Sequence, residues 1–301
     1  MSERQVEEQR VKATLQLDVL TATGIDAMLP GQGDLALGLD WIQAKATEVK
    51  APYVATNLKC GDTAPFPPLV RSTVADLSVV VVGVMSPSDQ VPAGCVVSDP
   101  QPAVKDALDS AGDAALVVLL SRLTADEDAT LAAAEPRLDF IVGGGSKTTR
   151  VEPLLLDHAT ARIEVGSRGK KLALAKVHWT PGADGFRSAE TLEALEKQLE
   201  RMQGRRASTL TLLDKATDQA TRERQQKRLE YYIKELDALE ARVAEARKPA
   251  AGPVHELELS LRSLDSTVPD HPETAQKLAS TLAQLEELQS RPVRPEDLQG
   301  L

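Results

Sequence analysis

Residues 139–149 read Asp-Phe-Ile-Val-Gly-Gly-Gly-Ser-Lys-Thr-Thr. An apolar run that ends in three glycines predicts a buried strand stopping at a loop, and loops at strand ends are where α/β proteins place their chemistry. Two earlier runs have the same character, Leu77 to Val84 (LSVVVVGV) and Ala114 to Leu120 (AALVVLL). Helical segments separate the three. One is capped by Ser98 or Asp99 and runs through about Ala111; the other spans about residues 124 to 134, where Thr124 and Glu127 form a capping box. Alternating buried strands and helices predict an α/β or layered α+β body.

Toward the N-terminus, residues 4 to 23 predict an amphipathic helix with Val11, Leu15, Leu17 and Leu20 on or near one side. A short strand within Gly24–Leu35 runs into a Gly-rich turn, a helix follows over about residues 35–49, and Tyr53 to Asn57 reads as a second strand. Residues 64–76 are Pro-rich and turn-like. Beyond the central loop, Ala159 to Val165 and Lys171 to His178 alternate like the two arms of an antiparallel hairpin.

The chain has 301 residues, 42% of them hydrophobic, enough for one good core with residues to spare. Aromatics are only 3%, so the core is expected to consist of Val, Leu, Ile and Ala. A net charge of -10 argues against a general nucleic-acid backbone binder and against anionic membrane. No apolar stretch reaches the length of a membrane span, and residues 1–18 are too polar for a signal peptide. Cys60 and Cys95 lack metal spacing and read as unpaired, and the scattered His158, His178, His255 and His271 read as ordinary surface or core residues.

Several phrases resemble, in order and spacing, the calcineurin-like metallophosphoesterases of the 5'-nucleotidase and UDP-sugar hydrolase branch. They are Gly24-Ile25-Asp26-Ala27, Gly31-Gln32-Gly33-Asp34, Ala51-Pro52-Tyr53-Val54-Ala55-Thr56-Asn57, Leu120-Ser121-Arg122-Leu123 and Gly143-Gly144-Gly145-Ser146-Lys147. The resemblance covers about residues 10–180, with a weaker echo at 255–287 around Val268-Pro269-Asp270-His271-Pro272-Glu273. It implies an α+β fold, a layered α/β/β/α β-sandwich, in a bacterial family that is usually exported to the periplasm or cell envelope. It also implies two divalent metals, such as Mn or Zn, held by family residues at these positions. Here the matched positions carry Gln32 for an asparagine ligand, Gly33 for a histidine, Asp34 for a glutamate, and Arg122, Gly145 and Lys147 for histidines. Glycine has no ligating side-chain atom, and ammonium and guanidinium groups have no lone pair. No metal cofactor is therefore expected. The family's opening Asp-x-His strand is also unmatched in residues 1–18, so either the start lies upstream of Met1 or that strand has been lost.

From residue 188 to 248 the pattern changes. Leu229, Tyr232, Leu236, Leu239, Val243 and Ala246 are spaced as a heptad seam, as are Leu192, Leu195, Leu199 and Met202, with Asp214 to Asp218 the best turn between them. This predicts an antiparallel coiled-coil hairpin inserted into the body, with divisions at 1–187, 188–250 and 251–301. The final part is read as a strand over His255–Leu264 and a helix over about 272–289. Two functions compete. One is a catalytically inactive phosphoesterase-like body that binds a protein partner through residues 188–248. The other is a phosphoric ester or nucleotide hydrolase with a remodelled site. A variant of the first keeps an anion-binding pocket formed by Arg122, Gly144, Gly145 and Lys147, with Arg150 as a further cation.

Overall fold

The computed structural model describes residues 2–144, 154–156, 160–166, 169–183, 185–188, 192–247 and 252–290. In chain order the elements are α1 (Glu3–Ala22), α2 (Gln32–Leu35), α3 (Leu39–Val49), β1 (Leu58–Cys60), β2 (Leu69–Val74), β3 (Leu77–Val84), β4 (Cys95–Val97), α4 (Pro100–Ala111), β5 (Leu116–Ser121), α5 (Ala125–Ala134), β6 (Phe140–Gly143), β7 (Leu154–Leu156), β8 (Thr160–Glu164), β9 (Lys171–His178), β10 (Phe186–Ser188), α6 (Leu192–Asp214), α7 (Gln219–Ala246), β11 (His255–Ser263) and α8 (Pro272–Ser290). The fold is mixed α+β. The chain divides into two compact units, residues 1–174 with 259–301, and residues 175–258.

The first unit is built on a six-stranded sheet in the order β2-β3-β5-β6-β8-β7. The four inner strands β3, β5, β6 and β8 are parallel, and an antiparallel strand closes each edge. Alternate residues of the inner strands face α4 and α5. Val80, Val82 and Val84 of β3, Leu119 of β5 and Ile141 of β6 pack against Val104 and Leu108 of α4 and Leu131 of α5. Each such buried Val or Leu contributes about 1.5–3 kcal/mol of hydrophobic stabilisation. α4 starts where Asp99 caps the Gln101 N–H ahead of Pro100, and α5 starts at the Thr124–Glu127 capping box.

A second core joins Leu17 of α1, Leu35, Ile42, Tyr53, Leu58, Phe66 and Met85. The segment at Val54 runs so close to β3 that a Cβ on Gly83 would lie 2.7 Å from the Val54 carbonyl oxygen. Only glycine tolerates that approach.

Several expectations from the sequence need correction. The helix expected over 35–49 begins only at Leu39, because Gly38 ahead of it adopts φ 100 and Arg10 donates to the Leu37 carbonyl at 2.7 Å, and the preceding Gly-rich turn contains the short α2. The strands expected near residues 24–29 and 53–57 reduce to one parallel bridge, Met28–Tyr53. The neighbouring polar groups bond elsewhere: the Asn57 side chain donates to the carbonyls of Met85 and Ser98. Residues 69–74, read as turn-like, form β2. Its hairpin with β3 turns at Ala75 and Asp76, both at positive φ, a two-residue turn whose usual Asn-Gly signal is missing from the sequence.

The hairpin expected from residues 159–178 is also divided. β8 pairs with β6 and β7, whereas β9 joins a different sheet, in the order β10-β11-β9. Cys60 and Cys95, expected unpaired, form a disulfide, since the antiparallel β1–β4 register sets them directly opposite.

In the second unit, α6 and α7 run antiparallel. Leu195 near the start of α6 packs with Leu239 and Val243 near the end of α7, and Arg247 pairs with Glu196 at 2.9 Å. The turn Lys215 to Asp218, with Ala216 buried, separates the helices. His255 in this unit is buried, stacked on Trp179 at 3.9 Å between ring centres, and accepts the Thr180 N–H at Nδ1, 3.1 Å away. Those contacts give it a packing role.

Candidate functional site

The four parallel strands end in register: Val84 lies beside Ser121, Ser121 beside Gly143, and Gly143 beside Glu164. Their carboxyl ends form one edge, the place where ligands bind in open parallel sheets. Two charged clusters sit on it, one centred on Asp89 and the other on Asp128.

Asp89 lies in the loop after β3 and is nearly buried. Arg122, the residue after β5, clamps it with two hydrogen bonds, Nε to Oδ2 at 2.9 Å and Nη2 to Oδ1 at 3.0 Å. Gln32 donates its amide N–H to Oδ1 at 2.8 Å, and the Ser86 N–H donates to Oδ2 at 3.0 Å. Burial alone would raise the Asp89 carboxyl, but the Arg122 bonds and charge, with Ser86 and Gln32, outweigh it and hold it below its ordinary value. Asp34 stands close by and accepts the Gly31 N–H at 2.7 Å. Burial pushes Asp34 above the usual carboxylate value, against the pull of Gly31 and Arg122. The guanidinium of Arg122 is thus engaged by one carboxylate and acted on by a second.

Asp128, in the first turn of α5, is fully buried. It accepts Ser121 Oγ–H at one oxygen and Arg162 Nε at the other, the latter at 2.7 Å. Arg162 projects from β8 and also donates from Nη1 to Glu164. The Ser121 hydroxyl oxygen in turn accepts the Leu123 N–H at 3.0 Å. Burial raises the Asp128 carboxyl above its ordinary value even with Ser121 and Arg162 pulling it down. A buried guanidinium flanked by two carboxylates fills the space beside Gly143, where a Cβ would lie 2.8 Å from Arg162 Nη2.

Two family-matched positions, Gln32 and Arg122, therefore come together on a carboxylate that sequence reading did not single out. Gly33 lies within the short α2, and Asp34 caps that helix's own start. Gly144 donates its N–H to the Ser121 carbonyl at 2.7 Å. Gly145, Lys147 and Arg150 lie outside the described residues. Asp89, Asp128, Arg162 and Glu164 were missed. A signal for the last two existed: charged residues two apart in the apolar strand Thr160–Glu164 share one face of a buried strand. For Asp89 the only hint was its place in a loop following a buried strand.

The arrangement does not suit a dinuclear metal site. A guanidinium, which has no lone pair to ligate with, stands at one matched position, and it is tied to Asp89, to which the Gln32 amide also donates. Among the described residues, no group of three or more His, Cys, Asp or Glu side chains could hold a metal ion.

No family model matches the chain, and no curated protein matches it. Among solved structures it is similar to a 5'-nucleotidase precursor from Thermus thermophilus, with a TM-score of 0.55 and 14% identity over 93% of this chain and 47% of that one. It is also similar to the calcineurin-like phosphoesterase YfkN from Bacillus subtilis, with a TM-score of 0.52 and 14% identity over 91% of this chain and 75% of that one. The fold is metallophosphoesterase-like. The chain spans about half the length of the Thermus thermophilus structure. At this identity the likeness carries the fold alone.

Proposed function

We propose that this chain is a catalytically inactive metallophosphoesterase-like binding module, with α6 and α7 as a coiled-coil arm that engages a protein partner. The observation that carries the reading is the Gln32–Asp89–Arg122 knot. A two-metal phosphoesterase lowers the pKa of a bound water and clamps the transferred phosphoryl group, and both roles need several ligands together. Here one matched position, Arg122, is held in an ion pair with Asp89, and a second, Gln32, donates to the same carboxylate, so the local charge is balanced without a metal. An anion at Arg122 would have to compete with Asp89 and would meet Asp34, which argues against an anion pocket centred there.

The test is direct. Elemental analysis of the purified protein is expected to find no stoichiometric Mn, Zn or Fe, and p-nitrophenyl phosphate, AMP and UDP-glucose with added Mn are expected to hydrolyse at the blank rate. About two transition metals per chain, or hydrolysis that disappears in Asp34→Ala, would establish the remodelled hydrolase instead. Phosphate should raise the melting temperature no more for the wild type than for an Arg122→Ala, Lys147→Ala double variant. A larger rise for the wild type would restore the anion site through mass action.

A further inference from the structure

The two flanks of the α6–α7 pair carry opposite charge. The seam is marked by burial: Leu195 and Thr209 on α6, and Leu236, Leu239 and Val243 on α7. At 100° per residue, the position just before a seam residue lies on one flank and the position just after it on the other. In an antiparallel pair, like offsets from the two helices share a flank. One contact bears this out: Glu196 and Arg247, each one residue after a seam position, form an ion pair.

The flank before the seam bears Arg201, Arg205, Arg224 and Arg228, all exposed, and from Gln198 to Arg242 only Glu235 there is acidic. The flank after the seam bears Glu200, Glu223, Glu230 and Asp237, all exposed, and has no cation from Glu193 to Glu240. Both sets occupy the same stretch of the pair, residues 223–237 of α7 and the part of α6 facing them. Exposed apolar side chains accompany each set: Leu212 and Tyr231 with the arginines, Leu210 and Ile233 with the carboxylates. A helix pair that needed only solubility would intersperse its signs, since like charges gathered on one face repel.

We propose that the occupant of the basic flank is the acidic flank of a second copy of this chain, so that arms stack side by side. This rests on the reading of α6–α7 as a binding arm and names its partner. Arginine suits the role, because its planar fork takes a carboxylate in two parallel bonds. The contact is heterologous. A two-fold dimer through either flank would set like charge on like charge, so the assembly grows head to tail and either closes into a ring or extends.

Sedimentation velocity of the full chain at micromolar concentration tests it. At about 50 mM salt the mass is expected to exceed that of a monomer and to rise with concentration, and at about 500 mM it is expected to fall, as screening weakens the charge pairing. Arg201→Glu, Arg205→Glu, Arg224→Glu and Arg228→Glu together make both flanks acidic and should yield monomers. Glu200→Lys, Glu223→Lys, Glu230→Lys and Asp237→Lys make both basic and should do the same. Mixing the two variants should restore assembly, a result that misfolded arms could not produce. A wild-type monomer at low salt overturns the proposal, as does a mixture that stays monomeric. Retention of a monomeric wild type on duplex DNA or phosphatidylglycerol vesicles also overturns it, in favour of a polyanion on the basic flank. A monomer that is also inactive as a hydrolase leaves the binding-module reading standing. An assembling, active hydrolase overturns that reading and leaves the stacking intact.

Discussion

The two ion clusters on the sheet edge are made of the same residue types and differ in burial. Arg122 and Asp89 meet at the rim, where the guanidinium keeps part of its surface in water. Arg162, Asp128 and Glu164 are all nearly or fully buried. In the rim pair, one arginine and one carboxylate form two parallel bonds, a geometry that holds with modest desolvation. In the inner cluster one guanidinium serves two carboxylates away from water, so removing it leaves like charges that neither solvent nor a partner can stabilise. Rim and interior thus use one chemistry for different ends: the rim pair balances the site, and the inner cluster ties β8 to α5 beside Gly143.

Breaking the inner cluster should have the largest effect. Arg162→Met is expected to lose about 3–5 kcal/mol, since it abandons two buried carboxylates, and to lower the melting temperature by on the order of 10 °C. A fall of under ~2 °C would mean that water already reaches the cluster.

Gly143→Ala should act on the same cluster more weakly. Its Cβ would press on Arg162 Nη2, and because that side chain is pinned by Asp128 and Glu164 it cannot swing away. About 1–3 kcal/mol is expected, and combining it with Arg162→Met should remove the additional cost. Urea titrations of the two single variants and the double variant form the cycle that decides this.

The rim pair should be the least costly. Asp89→Asn is expected to lose roughly 1 kcal/mol, as Arg122 can turn to water. The pH dependence supplies the sharper distinction. The folded-state pKa of Asp89 is depressed, so its contribution is fully present above the ordinary carboxylate value of 3.8 and is lost as pH falls through the lower folded value. Asp128 is raised in the folded state, so its contribution has the opposite sign and is lost as pH rises through its folded value. Acid unfolding curves of the wild type and Asp89→Asn should therefore differ above the ordinary carboxylate value and converge as the pH falls through the depressed folded value. Curves that stay parallel would show that Asp89 is not held as described.

Much of the body was legible because its signals are local. The runs that became β3 and β5 are too apolar to be anything but buried, the Thr124–Glu127 box needs only three residues of spacing, and the 3-4 spacing of leucines and valines that became the α6–α7 seam depends on helix geometry alone. The resemblance placed Gln32 and Arg122 at a common site, although their meeting point on Asp89 was not foreseen. Nor was the separation of β8 from β9, whose alternation is the same whether two strands pair with each other or with distant partners.

What the sequence by itself determined was the longest segments of helix and buried strand, such as α1, α4, α5, β3, β5, α6 and α7, and the capping residues that open α4 and α5. These follow from backbone sterics, side-chain periodicity and hydrogen bonds spanning a few residues. Only the tertiary structure decided that Cys60 faces Cys95, that Gln32 and Arg122 share Asp89, that Arg162 sits between Asp128 and Glu164, and that the charges of α6 and α7 fall on two opposed flanks. Each of these depends on strand order, register or the relative direction of two helices. Such pairings join residues tens of positions apart, and the free energy that selects them belongs to the assembled core, not to any one stretch of chain.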